Sequence, residues 1–357
     1  MNRVAIMLFI GVNMKKQALV ILGILLMFLS CASSGASSSG GKKPAWLADK
    51  HSAYPEEKYL VEIGEGSSLK KARQDGVIAL SQIFRTTVKV DSTVRTRYQD
   101  LSDGENILES SMETSADETI TQLSDETLVN VHFGESWTDD MGRSYVIAYI
   151  DRMETAMIYR QRIEEDGSLT DYFIRESATQ KDLLKRFGFL DAAVVMDKNS
   201  KMMLDQLDII HSPSRRSILP SYDDEQLYSL YSDTAGKMLY TISVEGDVDQ
   251  KITFSVAQVL TERGFVVAGA DGNLSVTGTV VLEDANLDNG YENIRWALYL
   301  EMRNEAGEVV VTMDEKKRES GVSRDAAVAR GYRSMEEMLQ KKFIADLERY
   351  FDSFARK

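Results

Sequence analysis

The sequence predicts an α+β fold: two small α+β domains joined by a helical segment, after a cleaved signal peptide. Three observations lead there. Stretches of period-two alternation closed by glycine-bearing turns sit beside stretches with 3.6-residue periodicity. The chain has 357 residues, more than one growing core accommodates. Its middle part lacks strand patterns and carries a helical apolar stripe instead. These divide the chain into a signal peptide (1–30), a tether (31–43), an α+β domain (44–160), a helical connector (161–235) and a C-terminal α+β domain (236–357).

The N-terminal segment is read first. Lys15 and Lys16 precede an apolar run from Ala18 to Leu29, followed by Ser30 and Cys31. A basic n-region, a short apolar h-region and a small residue before the cut describe an export signal. The run is too short for a comfortable span, which needs about 20 apolar residues. Met14 is the expected true start, since residues 1–13 only add a second apolar stretch. Phe28-Leu29-Ser30-Cys31 resembles the relaxed form of the bacterial lipobox, with Phe28 in place of the usual leucine. The resemblance implies a diacylglycerol thioether on Cys31 and a further acyl chain, such as palmitate, on its amino group. Several acyl chains anchor stably where one does not. Ala32 to Gly41, rich in serine and glycine, is expected to be a flexible tether. Ala32 is not the aspartate that retains many lipoproteins at the inner membrane, so the expected location is the outer membrane, facing the periplasm.

In the first domain Tyr59 to Ile63 reads as a strand, Gly64 to Ser67 as a tight turn, and Leu69 to Phe84 as a helix. Val88 to Tyr98 alternates like a half-buried strand. Asp100 to Ser124 reads as an amphipathic helix. Leu128 to Trp137 and Ser144 to Ile150 read as strands joined by a turn at Asp139 to Arg143. Pro44-Ala45-Trp46, Gly64-x-Gly66-x-Ser68 and Glu135-x-Trp137-x-Asp139-x-x-Gly142-x-x-Tyr145-Val146-x-Ala148 together resemble the Lpp-twenty lipoprotein family over residues 44–160. They are similar as well to the N-terminal domain of flagellar assembly protein T. The resemblance implies an α+β fold and an envelope role, and brings no catalytic residues.

The connector is expected to hold helices at Met153 to Glu165, Thr170 to Phe187 and Phe189 to Ile210, with a break at Gly188 and a linker from Ser212 to Tyr222 around two prolines. In the C-terminal domain Tyr240 to Val244 is a strand, and Asp249 is the expected N-cap of a helix from Gln250 to Arg263, closed by Gly264. Val266 to Ala268, Leu274 to Leu282, Ile294 to Met302 and Val309 to Met313 form a meander, and Arg324 to Phe351 a long amphipathic helix.

Composition narrows function. Lysine and arginine number 42 against 56 acidic residues. Arg3, Lys15 and Lys16 leave with the signal, so 39 basic residues remain and the balance falls from −14 to −17. Such a surface repels nucleic acid. Cys31 is the one cysteine, which excludes an intramolecular disulfide and a cysteine-rich metal site. His51, His132 and His211 lack metal spacing. Gly64-Glu65-Gly66-Ser67 lacks the third glycine of a phosphate-binding nest. Asp284-x-Asn286-x-Asp288-Asn289-Gly290 fails as a calcium loop, because Asn289 replaces the turn glycine and Arg295 the bidentate glutamate. Glu164-Glu165-Asp166 reads as solvated surface. The expectation is therefore a non-enzymatic, lipid-anchored envelope module with no cofactor, bound to the membrane through its lipid and to an envelope protein partner of unknown identity. A peptidoglycan- or small-molecule-binding module, with Trp46, Trp137 and Trp296 as candidate lining, is the alternative; an envelope hydrolase ranks below both.

Overall fold

The computed structural model describes residues 38–39, 42–85, 92–102, 128–285, 287 and 290–356. The segment read as a signal peptide, Cys31 and most of the segment read as a tether lie outside them. The architecture is α+β: two sheets flank a layer of long helices.

The first sheet has the order β1-β3-β4-β2. Strand β2 (Tyr59–Gly66) pairs antiparallel with β4 (Ser144–Asp151), Tyr59 facing Asp151 and Gly66 facing Ser144. Strand β3 (His132–Thr138) pairs antiparallel with β4, and β1 (Ser38–Ser39) lies parallel to the end of β3. The part of the tether expected to be free thus takes up backbone groups of an open edge. The predicted turn at Gly64 to Ser67 is instead mostly strand. Helix α1 (Leu69–Arg85) crosses so closely that a Cβ on Gly64 would lie 1.9 Å from the Ala72 carbonyl oxygen. These glycines serve strand–helix contact, and the turn is left to Ser67 and Ser68. Residues 128–131 are not strand, so β3 begins later than the alternation indicated.

The larger departure is helix α2 (Ser92–Leu101), which occupies the last part of the stretch read as a strand from Val88 to Tyr98. Residues 88–91 and 103–124 lie outside the described residues, and Asp100 and Leu101 end α2. Val94, Tyr98 and Leu101 fall on one helical face and pack into a cluster with Phe173, Phe189, Leu190 and Leu227. That packing overrides the β propensity of valine and threonine.

The helical layer is built by α3 (Arg152–Thr179) and α4 (Leu183–Arg216), an antiparallel pair with α5 (Asp224–Ala235) beside it. The expected breaks near residue 167 and at Gly188 are absent. The chain breaks at residues 180–182, where the Asp182 carboxylate accepts from the Lys185 amide and caps α4. Gly188 stays helical, its bare Cα letting the Phe351 carbonyl oxygen approach to 2.9 Å of where a Cβ would stand. Pro213 sits inside α4, which kinks at His211 (φ −156°, ψ 86°).

The second sheet has the order β6-β5-β7-β8-β9: Val266–Val267, Leu239–Glu245, Leu274–Asp284, Glu292–Arg303 and Val309–Gly321. β5 runs parallel to β6 and β7; the rest is an antiparallel meander. One face is covered by α6 (Lys251–Glu262) and by the C-terminal helix, whose α7 (Arg324–Met338) and α8 (Ile344–Ala355) join through a π turn at Leu339–Phe343. Trp296, Leu298, Tyr332, Phe343 and Phe351 fill this core. Gly264 takes the left-handed conformation expected of it (φ +80°). Asp249 does not cap α6. Its φ of 60° turns the backbone back, and Asp247 accepts from the amides of Ile252 and Thr253 at 3.1 and 2.8 Å.

Candidate functional site

The residues singled out in the sequence do not converge on one site. Cys31 lies outside the described residues. His51 is exposed on a short 3-10 turn, His132 stands on β3, and His211 marks the kink of α4, its Nδ1 2.7 Å from Ser214 Oγ. No group of three His, Cys, Asp or Glu among the described residues is placed to hold a metal. Glu65 is drawn out of any anion nest by Arg143, 2.7 Å away. Asp284 pairs with Arg324 at 2.8 Å, while Asn286, Asp288 and Asn289 lie outside the described residues. The three tryptophans do not all come together: Trp296 is buried in the core of the second sheet, whereas buried Trp46 and half-buried Trp137 belong to one cluster on the first sheet, where Trp137 leans on Tyr145 with ring centres 5.7 Å apart. A cleft of about 310 Å³ between β9 and the C-terminal helix is lined by Thr312–Glu315, Lys341, Lys342, Ala345, Asp346 and Arg349, and holds no aromatic ring.

Two features do concentrate chemistry. The first is the face of the first sheet opposite α1. Alternation on β4 sends Val146, Ala148 and Ile150 toward the helices and Tyr145, Ile147 and Tyr149 to the other side. There the turns at Ala45–Leu47 and Lys50–Ser52 bring Trp46 down onto Val61 and Ile147. Half-buried Tyr54, Tyr59, Tyr149 and His132 form a ring cluster, with Tyr149 centred 4.8 Å from Tyr54, 5.4 Å from Tyr59 and 5.3 Å from His132. Gly134 leaves room for the Tyr54 ring over β3, and the Tyr54 hydroxyl donates to Glu135 at 2.9 Å. Burial first, and that carboxylate second, raise the Tyr54 pKa. The cluster gathers at the end of the sheet where Tyr59 faces Asp151.

The second feature is a chain of buried carboxylates in the helical layer, which the reading of Glu164-Glu165-Asp166 as solvated surface misses. Asp166 is buried, accepting from Tyr98 Oη at 3.1 Å and Asn199 Nδ2 at 3.2 Å. Desolvation pushes its pKa up to about 7, against the lowering effect of those two donors. Asp197 accepts from Tyr222 and Tyr228 and pairs with Lys201 at 3.0 Å. Arg97 of α2 lies between Asp191 and Asp352, 2.7 and 2.5 Å away, tying α2 to both α4 and the last helix. A charge per helical turn looks like a wet face in sequence. Tyr98 on α2, Tyr228 on α5 and Tyr222 in the bend before α5 were the available signal.

Residues 44–151 match the family model of the LPP20 lipoprotein. The resemblance read from the sequence therefore holds, and with it the α+β expectation. Similar solved structures include the secreted protein HP1454 of Helicobacter pylori, at 13% identity over 81% of this chain and 100% of that one, with a TM-score of 0.40. A minor lipoprotein of Acinetobacter baumannii is 14% identical over 33% of this chain and 89% of its own (TM-score 0.20). Rare lipoprotein B of Shewanella oneidensis is 15% identical over 33% and 93% (TM-score 0.20). No curated protein matches the chain.

Proposed function

We propose that the mature chain is an envelope lipoprotein anchored through acylated Cys31 to the periplasmic face of the outer membrane, where it acts as a non-enzymatic interaction or assembly module. The observation that carries the reading is the lipoprotein-family match that begins at residue 44, a short tether after the lipobox-like cysteine. Its support on the non-enzymatic side is that the buried acids of the described residues are each engaged by tyrosine, arginine, asparagine or lysine in ties between helices. The test is the intact mass of protein from a membrane fraction, beside a Cys31→Ser variant after detergent phase separation. A mass starting at lipid-modified Cys31, with the variant lost from the detergent phase, is expected. An unmodified mass, or retention of residues 14–30, overturns the anchor.

The tyrosine–histidine cluster favours one second reading, a peptidoglycan- or small-molecule-binding module, since amphipathic rings with a carboxylate alongside suit sugar faces. Sedimentation with purified peptidoglycan, lost on Tyr149→Ala, distinguishes it from the first.

A further inference from the structure

We infer that two copies of the chain pair antiparallel through the free edge of β9, about a twofold axis at Lys316, joining their second sheets into one. Strand β9 has 13 residues and is paired only on its β8 side. The Ala285 amide donates to the Asn293 carbonyl oxygen at 2.7 Å, so the peptide groups of Asn293 face β7. Asn293 stands opposite Ser320, and the pairing is unbroken from there to Met302 opposite Val311. Alternation therefore turns the N–H and C=O of Thr312, Asp314, Lys316, Arg318 and Ser320 away from β8. The Arg330 guanidinium agrees with this direction, donating to the Ser320 carbonyl oxygen at 2.7 Å. From Thr312 to Arg318 the outward peptide groups meet no partner among the described residues. The C-terminal helix does not seal this edge, since the cleft of about 310 Å³ lies between Thr312–Glu315 and the helix. The other sheet edges differ: β1 and β6 have two residues each, and β2 gives its Glu65 amide to the Asp75 carboxylate at 2.9 Å.

A bare edge of this length is a template for another strand, and lysines on an edge ordinarily ward one off. Here the order of charge makes the edge complementary to itself. Asp314 and Glu315 precede Lys316, Lys317 and Arg318, and a second copy brings the same order reversed. With Lys316 opposite Lys316 of the second copy, Asp314 faces Arg318 on the open face of the sheet and Glu315 faces Lys317 on the helix face. Symmetry makes each opposite-charge pair twice. The one like pair is the two lysines on the axis. Each of them keeps Asp314 of its own strand 3.5 Å away, and its side chain is 71% exposed. Other registers are worse: an axis at residue 315 sets Glu315 against itself, and an axis at residue 317 sets Lys316 against Arg318 and Glu315 against Glu319.

The test uses the chain from residue 31 onward with Cys31→Ser, so that an introduced cysteine is the only one. Sedimentation over a concentration series should show a monomer–dimer equilibrium. Asp314→Arg and Arg318→Asp each set like charges opposite one another, and each alone should weaken the dimer about ten-fold. Mixed in equal amounts, these two variants should pair again, because every altered residue then meets its opposite. Both side chains are exposed on the open face, and recovery on mixing also shows that both variants are folded. Lys316→Cys should form an intermolecular disulfide under mild oxidation, whereas Arg318→Cys, whose two copies stand too far apart across the axis, should not. A chain that stays monomeric at every concentration overturns the inference. So does a dimer indifferent to both charge variants, or a disulfide that forms at 318 and not at 316.

Discussion

Arg152 Nη1 lies 2.9 Å from the Ile209 carbonyl oxygen and 2.6 Å from that of Ile210, donating to both across the antiparallel helix pair. Pro213, four residues after Ile209, has no N–H to offer that carbonyl, and the chain has already left helical geometry at His211. The first residue of α3 therefore finishes the hydrogen bonding of α4, while its Nε donates to the backbone carbonyl oxygen of Glu56. Arg152→Ala should cost about 2 kcal/mol, the range for leaving buried carbonyls unpaired. Urea unfolding checks this, and Pro213→Ala in the Arg152→Ala background should recover part of the loss by returning an N–H to Ile209.

The Arg97 tie gives a larger effect. Removing one partner of a buried ion pair costs about 3–5 kcal/mol, because the remaining charges stay desolvated. Asp352 is nearly sealed, with 3% of its side chain exposed. Arg97→Met should therefore unfold or loosen the helical layer, read as hydrogen exchange in residues 92–102 and in α8. Arg97→Met with Asp191→Asn and Asp352→Asn should be markedly less damaging than Arg97→Met alone. Equal stability of the single and triple variants would count against the charge argument.

Asp166 gives a pH dependence with a defined sign. Burial raises its pKa to about 7 from an ordinary value of 3.8, so the folded chain binds this proton more tightly than the unfolded chain. The contribution is present below the unfolded value and is lost as pH rises from there through about 7. Unfolding midpoints of the wild type relative to Asp166→Asn should decline between pH 5 and pH 7.5 and stay level above. A constant difference across that range would show that Asp166 does not titrate there.

Gly188 sets two effects against each other. Alanine gains about 1 kcal/mol of helix propensity over glycine. A Cβ here would meet Phe351 backbone oxygen at 2.9 Å and Phe354 Cδ2 at 2.7 Å, and overpacking typically costs about 1–3 kcal/mol. The backbone contact cannot swing aside as a side chain can, so Gly188→Ala should lower the melting temperature by a few degrees. A rise in melting temperature would mean that α8 can shift away from α4.

Much of the fold was legible from the chain itself. The strands at Tyr59, Ser144, Leu239, Leu274 and Glu292, and the helices at Leu69 and Arg324, follow from patterns with a clear period, because each has one face in a core and one in water. The family motifs are local too, and the sequence alone carries them. Three things needed the tertiary structure. Residues 92–98 alternate like a strand, but Arg97 and Tyr98 find acids on helices that lie 68 to 255 residues away in the chain. Glycines that look like punctuation at 64 and 188 are instead points where one backbone passes another, which no local pattern reveals. Asp166 reads as surface beside two glutamates, yet it is buried because Tyr98 and Asn199 arrive to donate to it. Period and punctuation are encoded within a few residues; which polar groups lose water depends on partners brought together only when the chain folds.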